Sequence, residues 1–210
     1  MTVKLDHIGK RYNREWIFRE VDLCFVANEP TAIVGANGSG KSTLLQCISG
    51  FLTPSEGHIQ LSSGSGKIIT AEEHYRHVSI AAPYLHQDEW LTFREAVKIQ
   101  SQFKPFRSGF SEEDVIERSG LQKSADKYLN QFSSGMKQRV RLVLAILADS
   151  DVLLLDEPLS NLDQSGAQWF SEMLEAERTD RTVIICSNRH PDELALTSRQ
   201  IDLSQFKPNG

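Results

Sequence analysis

The sequence predicts an α/β fold: a mixed sheet with an antiparallel N-terminal β portion and a helical insert near residues 85–150. Three observations predict it. A glycine-rich segment, Gly35–Ser42, lies between a short apolar strand and an apolar helix start. Asp151–Leu155 and Thr182–Cys186 are near-continuous apolar runs, the pattern of strands buried on both faces of a parallel sheet. From about Trp90 to Ala148 the periodicity becomes helical, after a region that reads as strands.

Val21–Val26 alternates, with Val21, Leu23 and Phe25 set against Asp22 and Cys24, so it reads as a half-buried strand. Thr31–Val34 is short and apolar. His58–Leu61, Lys67–Thr70 and Val78–Ala81 are further short strands, the first two split by the turn Ser62–Gly66. Phe93, Val97 and Gln100 begin one helix, and Ser111–Ser119 forms another behind a Ser-Glu-Glu-Asp start. A helix over Gln164–Arg178 separates the two apolar strands. No internal repeat and no long linker interrupts residues 1–210, which read as one domain.

Composition narrows the class. Hydrophobic residues make up 40% and charged residues 24% of 210, an ordinary globular balance. A net charge of -5 gives no general reason to expect a nucleic-acid partner. No apolar run approaches the roughly 20 residues of a membrane span, and Met1–Lys10 lacks the apolar stretch of a secretory signal. The expectation is a soluble chain, or one held at a membrane by something else. Cys24, Cys47 and Cys186 are too scattered for a metal site and odd in number for a disulfide scaffold. Each is expected to fill a core, and a reducing cytosol fits best. The histidines outside 188–190 lack ligand-like spacing and read as surface or structural residues.

Gly35-Ala36-Asn37-Gly38-Ser39-Gly40-Lys41-Ser42, followed by Thr43, matches the pattern G-x-x-x-x-G-K-[ST]. The glycines let backbone N–H groups converge on phosphate oxygens, and the following helix adds its positive end. Lys41 supplies a mobile charge for the β- and γ-phosphates, and Ser42 a hydroxyl for Mg²⁺. The run Val152–Leu155 ends in Asp156 and Glu157. The carboxyl end of a parallel strand is where such sheets bind ligands. Asp156 is therefore a candidate Mg²⁺ residue, and Glu157 a candidate general base for an attacking water.

Phe132-Ser133-Ser134-Gly135-Met136 precedes a basic stretch, Lys137-Gln138-Arg139. Ser133 can cap a helix and donate to a phosphate, and Gly135 allows close backbone approach. At this point the chain resembles the ATP-binding cassette (ABC) ATPases, whose signature is close to Leu-Ser-Gly-Gly-Gln. Three of the five positions differ; the Ser and the second Gly remain. Ser160-Asn161-Leu162-Asp163 stands at the spacing of the family's D-loop, and Tyr12 matches the aromatic that stacks on adenine. The resemblance runs from about Val3 to Ser204. It implies binding of ATP and Mg²⁺, and a head-to-tail homodimer or heterodimer of cassettes. The phosphate loop of one copy would face Ser133 and Gly135 of the other. It also implies separate membrane-spanning transporter subunits, with this chain peripheral on the cytoplasmic face.

Two positions depart from the family pattern. Tyr84 stands where the family has a Gln that senses Mg²⁺ and γ-phosphate, with Gln87 three residues on. Asn188 stands where it has a switch His, with His190 two residues on. Asn can hydrogen-bond a phosphate but cannot carry the imidazole's proton. The resemblance therefore implies slow hydrolysis by Glu157 with Asn188. Two alternatives stay open: a weakly catalytic regulatory cassette paired with a competent one, and a non-transport cassette ATPase.

Overall fold

The computed structural model describes residues 1–107 and 109–207. Its strands are β1 Thr2–Tyr12, β2 Glu15–Val26, β3 Thr31–Val34, β4 Glu56–Ser62, β5 Ile68–Ile69, β6 Val78–Ala81, β7 Val152–Asp156, β8 Thr182–Ser187 and β9 Arg199–Asp202. Its α-helices are α1 Lys41–Ile48, α2 His74–His77, α3 Phe93–Phe103, α4 Glu112–Ser119, α5 Ser134–Leu147, α6 Gln164–Glu177 and α7 Pro191–Ala195.

The strands separate into two sheets. One is antiparallel, in the order β2-β1-β4-β5; the other is parallel, in the order β6-β7-β8-β3-β9. The central strands β3, β7 and β8 are buried at every residue, which is why their sequences are nearly all apolar. One apolar core fills the space between the two sheets, with Phe18, Phe25, Leu44, Ile48 and Leu154. A second lies between the parallel sheet and α3–α6, with Phe93, Val97, Val143, Leu155 and Phe170. The helices between β6 and β7 form the expected insert. α3 and α4 each open on a capping box, Thr92 with Glu95 and Ser111 with Asp114.

Some expectations need correction. β2 begins six residues before Val21, and β1 and β9 add strands that no periodicity singled out. Cys47 and Cys186 are buried, but Cys24 is exposed. The alternation of β2 itself turns Cys24 outward beside Asp22, so the period-two pattern outweighs the usual burial of cysteine. His7, His58 and His77 pair with Asp22, Asp6 and Asp151, as structural histidines do.

Lys104, just after α3, is half-buried against β6 and donates to the Val78 carbonyl. Burial lowers its pKa to about 8 from 10.5, an effect increased by the nearby Arg181. Between about pH 8 and 10.5 the unfolded chain then binds the proton that the folded chain releases, so this lysine adds stability as pH rises. Urea unfolding of the parent and of Lys104→Met at both ends of that window should show the difference shifting in the parent's favour. After solvent screening, a shift of about 1–2 kcal/mol is expected. A pH-independent difference would contradict this account of Lys104.

Candidate nucleotide site

The loop between β3 and α1 is shaped by steric demands. Gly40 is left-handed (φ 99°), and a Cβ there would lie 2.4 Å from Ile17 Cγ2. A Cβ at Gly35 would lie 2.5 Å from Ser39 Oγ. The N-cap Gly40 offers no side-chain cap, so the first-turn N–H groups of α1 point out of the helix without an intrahelical partner. Ser39 Oγ is buried in the loop and has no hydrogen-bond partner. Ile17 and residues 37–43 line a cavity of about 320 Å³, and Glu157 closes one wall.

Lys41 occupies the centre. It is only 5% exposed, yet no carboxylate among the described residues lies within ion-pair distance of its ammonium. The Nζ instead donates to Gly35 O at 2.8 Å, Ala36 O at 3.2 Å and Asn188 Oδ1 at 2.5 Å. Asn188 Nδ2 in turn donates to Glu157 Oε1 at 2.6 Å. One amide thus bridges the lysine and the candidate base. Strand order explains the meeting. β8 lies between β7 and β3, so the end of β7 (Asp156), the end of β8 (Ser187) and the loop after β3 converge at the sheet's carboxyl edge.

Asp156 is 2% exposed, and its Oδ1 has no hydrogen-bond partner. Burial raises its pKa above the ordinary carboxylate value, an effect opposed by the Ser42 hydroxyl. Glu157 adopts φ 47°, a left-handed conformation uncommon outside glycine and asparagine, while its N–H donates to Cys186 O at 2.9 Å. The donor set suits a hard divalent cation: an orphaned buried carboxylate oxygen beside a hydroxyl.

The remaining candidates lie elsewhere. Asn188, not His190, faces the loop; His190 is the N-cap residue of α7. Gln87 lines a groove between β6 and α3. Tyr12 ends β1, half exposed with Lys10 Nζ 5.4 Å from its ring centroid, and Ile17 rather than Tyr12 lines the loop cavity. Ser133 caps α5, accepting from Met136 N at 3.2 Å. Neither Ser133 nor Gly135 lines the cavity of its own chain.

Two positioning residues escaped sequence reasoning. Glu193, 3% exposed, accepts from Leu159 N at 3.1 Å and from the Ser187 hydroxyl, tying the loop after Glu157 to the end of β8. Gln138 Nε2 donates to Pro158 O at 2.9 Å and fastens α5 to the same loop. Both act over long sequence separations, which no local pattern announces.

The family model described as ABC transporter matches residues 18–160. The chain belongs to the ABC transporter family. It is 30% identical over 203 residues to the ABC transporter ATP-binding protein YtrE of Bacillus subtilis (strain 168), covering 91% of this chain and 88% of YtrE. It is 32% identical over 181 residues to the zinc import ATP-binding protein ZnuC of Roseobacter denitrificans, covering 85% and 65%. The fold matches a bacterial ABC transporter cassette solved as a dimer, with TM-score 0.79, 21% identity, and 96% and 95% of the two chains covered. An ABC transporter ATP-binding protein from Pyrococcus furiosus matches with TM-score 0.82, 18% identity, and 99% and 100% covered. These likenesses establish the cassette fold.

Glu193→Ala should lower unfolding free energy by about 2–4 kcal/mol, because it strands the Leu159 N–H and the Ser187 hydroxyl. Glu193→Gln keeps a partner for each and should cost less. Denaturant titration of the three proteins checks this order.

Proposed function

We propose that this cassette, one domain over residues 1–210, is the ATP-binding and ATP-hydrolysing subunit of an ABC transporter. The observation that carries the reading is the buried Lys41 ammonium, held by neutral oxygens beside an orphaned Ser39 hydroxyl. A buried cation without a counter-charge is costly, and an anionic phosphate satisfies it. The loop N–H groups and Ser39 bind the β- and γ-phosphates, with Lys41 between them. Ser42 and Asp156 hold Mg²⁺, which supplies charge neutralisation at the phosphates. Glu157 accepts the proton of the attacking water. Asn188 orients a γ-phosphate oxygen through its amide, a neutral donor, so turnover is slow. Tyr12 stacks on the adenine.

Ser133 and Gly135 complete the site from a second cassette, identical or different. Their separation from the loop cavity of their own chain supports a composite site. Among the described residues no helix is long and apolar enough to cross a membrane. The transport work is assigned to separate membrane-spanning subunits. Their docking surface is the groove between β6 and the helical insert. Phe103 (80% exposed) and Tyr75, which line that groove, support the assignment, and Phe51 lies in the adjoining pocket that shares Tyr75 with it. The protein then sits peripherally on the cytoplasmic face of the membrane. No nucleic-acid partner is proposed. A second reading, a weakly catalytic cassette paired with a competent one, is favoured by Tyr84 and Asn188.

Calorimetry with Mg-ATP tests the reading. Lys41→Ala should weaken binding by about 10–150-fold, the worth of one charge-assisted hydrogen bond, and unchanged affinity would overturn the assignment. Glu157→Gln should accumulate an ATP-dependent dimer by light scattering, because binding survives while water activation fails. A strictly monomeric profile, alone and with the partner cassette, would contradict the composite site.

A further inference from the structure

The antiparallel sheet gathers a group of imidazole and carboxylate donors that shares no residue with the nucleotide site. Irregular strand pairing brings them together. Leu5 stands opposite Leu23 and Ile8 opposite Val21, so Asp6 and His7 together face Asp22. On the other edge of β1, Asp6 stands opposite His58 and Gly9 opposite Glu56. In a regular strand Asp6 and His7 would point to opposite faces. Here His7 is left-handed (φ 47°), and the resulting bulge cancels the alternation. Gly57 of β4 permits the close approach, since a Cβ there would lie 2.3 Å from Asp6 O and 2.4 Å from His7 O.

One ligand atom each from Asp6, His7 and Asp22 lies within 4.8 Å of the other two. His7 Nδ1 is 2.8 Å from Asp22 Oδ2 and 3.4 Å from Glu20 Oε2, and His58 Nε2 is 3.2 Å from Asp6 Oδ2. Zinc bonds of about 2.0–2.2 Å in a tetrahedron set donor atoms about 3.3–3.6 Å apart, so small side-chain rotations suffice to enclose an ion. The His7 backbone N–H donates to Asp22 Oδ1 at 2.9 Å, which orients that carboxylate and leaves Oδ2 for a second partner. The charge also calls for a cation. Asp6, Glu20 and Asp22 bring three carboxylates together, and Arg19 reaches Glu20 only at 4.0 Å because Glu56 holds it at 2.9 and 3.2 Å. A single Nδ1 hydrogen serves one of the two carboxylates beside it, whereas a divalent ion serves both.

We propose that Asp6, His7 and Asp22 form a binding site for a divalent transition metal of the Zn²⁺ type, with His58 at its rim and water in the open positions. The neutral His7 imidazole offers the Nδ1 lone pair. An imidazole among carboxylates favours such an ion over Mg²⁺ or Ca²⁺, which take all-oxygen sets. A bound ion fastens β1 to β2, and through His58 to β4. His77 with Asp151 is the instructive contrast: it is a similar pair, but among the described residues no third metal-ligating side chain completes it.

The test is calorimetric titration of the untagged full chain, stripped with EDTA and dialysed, with Zn²⁺ alone. The parent should bind a single equivalent at this site, and Zn²⁺ should raise its thermal unfolding midpoint. His7→Asn, a residue that tolerates the left-handed backbone, and Asp22→Asn should each weaken binding by at least the roughly 10–100-fold that loss of a mere supporting partner costs. Both should also abolish the rise in midpoint, whereas His77→Gln should leave both readouts unchanged. No saturable binding to the parent would overturn the site. Binding that survives both His7→Asn and Asp22→Asn, or that is lost in Asp156→Asn instead, would overturn it by placing the ion elsewhere. The nucleotide reading is untouched by any of these results, because ATP is absent throughout.

Discussion

The Lys41 ammonium is a charge folded into a place that water barely reaches. Two backbone carbonyls and one side-chain amide hold it. Burying an unpaired charge costs far more than these neutral acceptors return, so the loop around it must be rigid enough to keep all three in place. That requirement explains the glycines. Gly35 leaves room for Ser39, and Gly40 takes a backbone conformation that also clears Ile17 and Phe18 of the antiparallel sheet. It also explains why β3 lies beside β8. Val34 opposite Ser187 brings Asn188 to the lysine one residue later.

From that centre the structure extends outward through polar ties rather than through the cores alone. Asn188 links Lys41 to Glu157. Glu193 links the segment after Glu157 to the end of β8, and Gln138 links it to α5. The capped end of α5 is thereby fixed relative to Glu157, although it stands apart from the phosphate loop of its own chain. A rearrangement at the lysine has a connected route to that helix.

Much of this was legible in the chain because it is local. The loop, the Asp156–Glu157 pair and the buried strands β3, β6, β7 and β8 are contiguous patterns with one physical cause each. β1 was not singled out, because its charged residues mask strand pairing on both edges. β9 was missed because three of its four residues are polar and only Ile201 is buried. The contest between Asn188 and His190 turned on the pairing of β8 with β3, a contact between distant segments. Glu193 and Gln138 were hidden for the same reason. Their meaning lies in what they meet across the fold.

The deciding event is what Lys41 does when an anion arrives. A crystal structure with Mg²⁺ and a slowly hydrolysed ATP analogue tests it most directly. Lys41 Nζ is expected to leave Asn188 Oδ1 for phosphate oxygens between the β and γ positions. Asn188 would then turn its amide toward the γ-phosphate. A nucleotide bound in the loop with the Lys41–Asn188 contact unbroken, or one bound elsewhere on the chain, would contradict it.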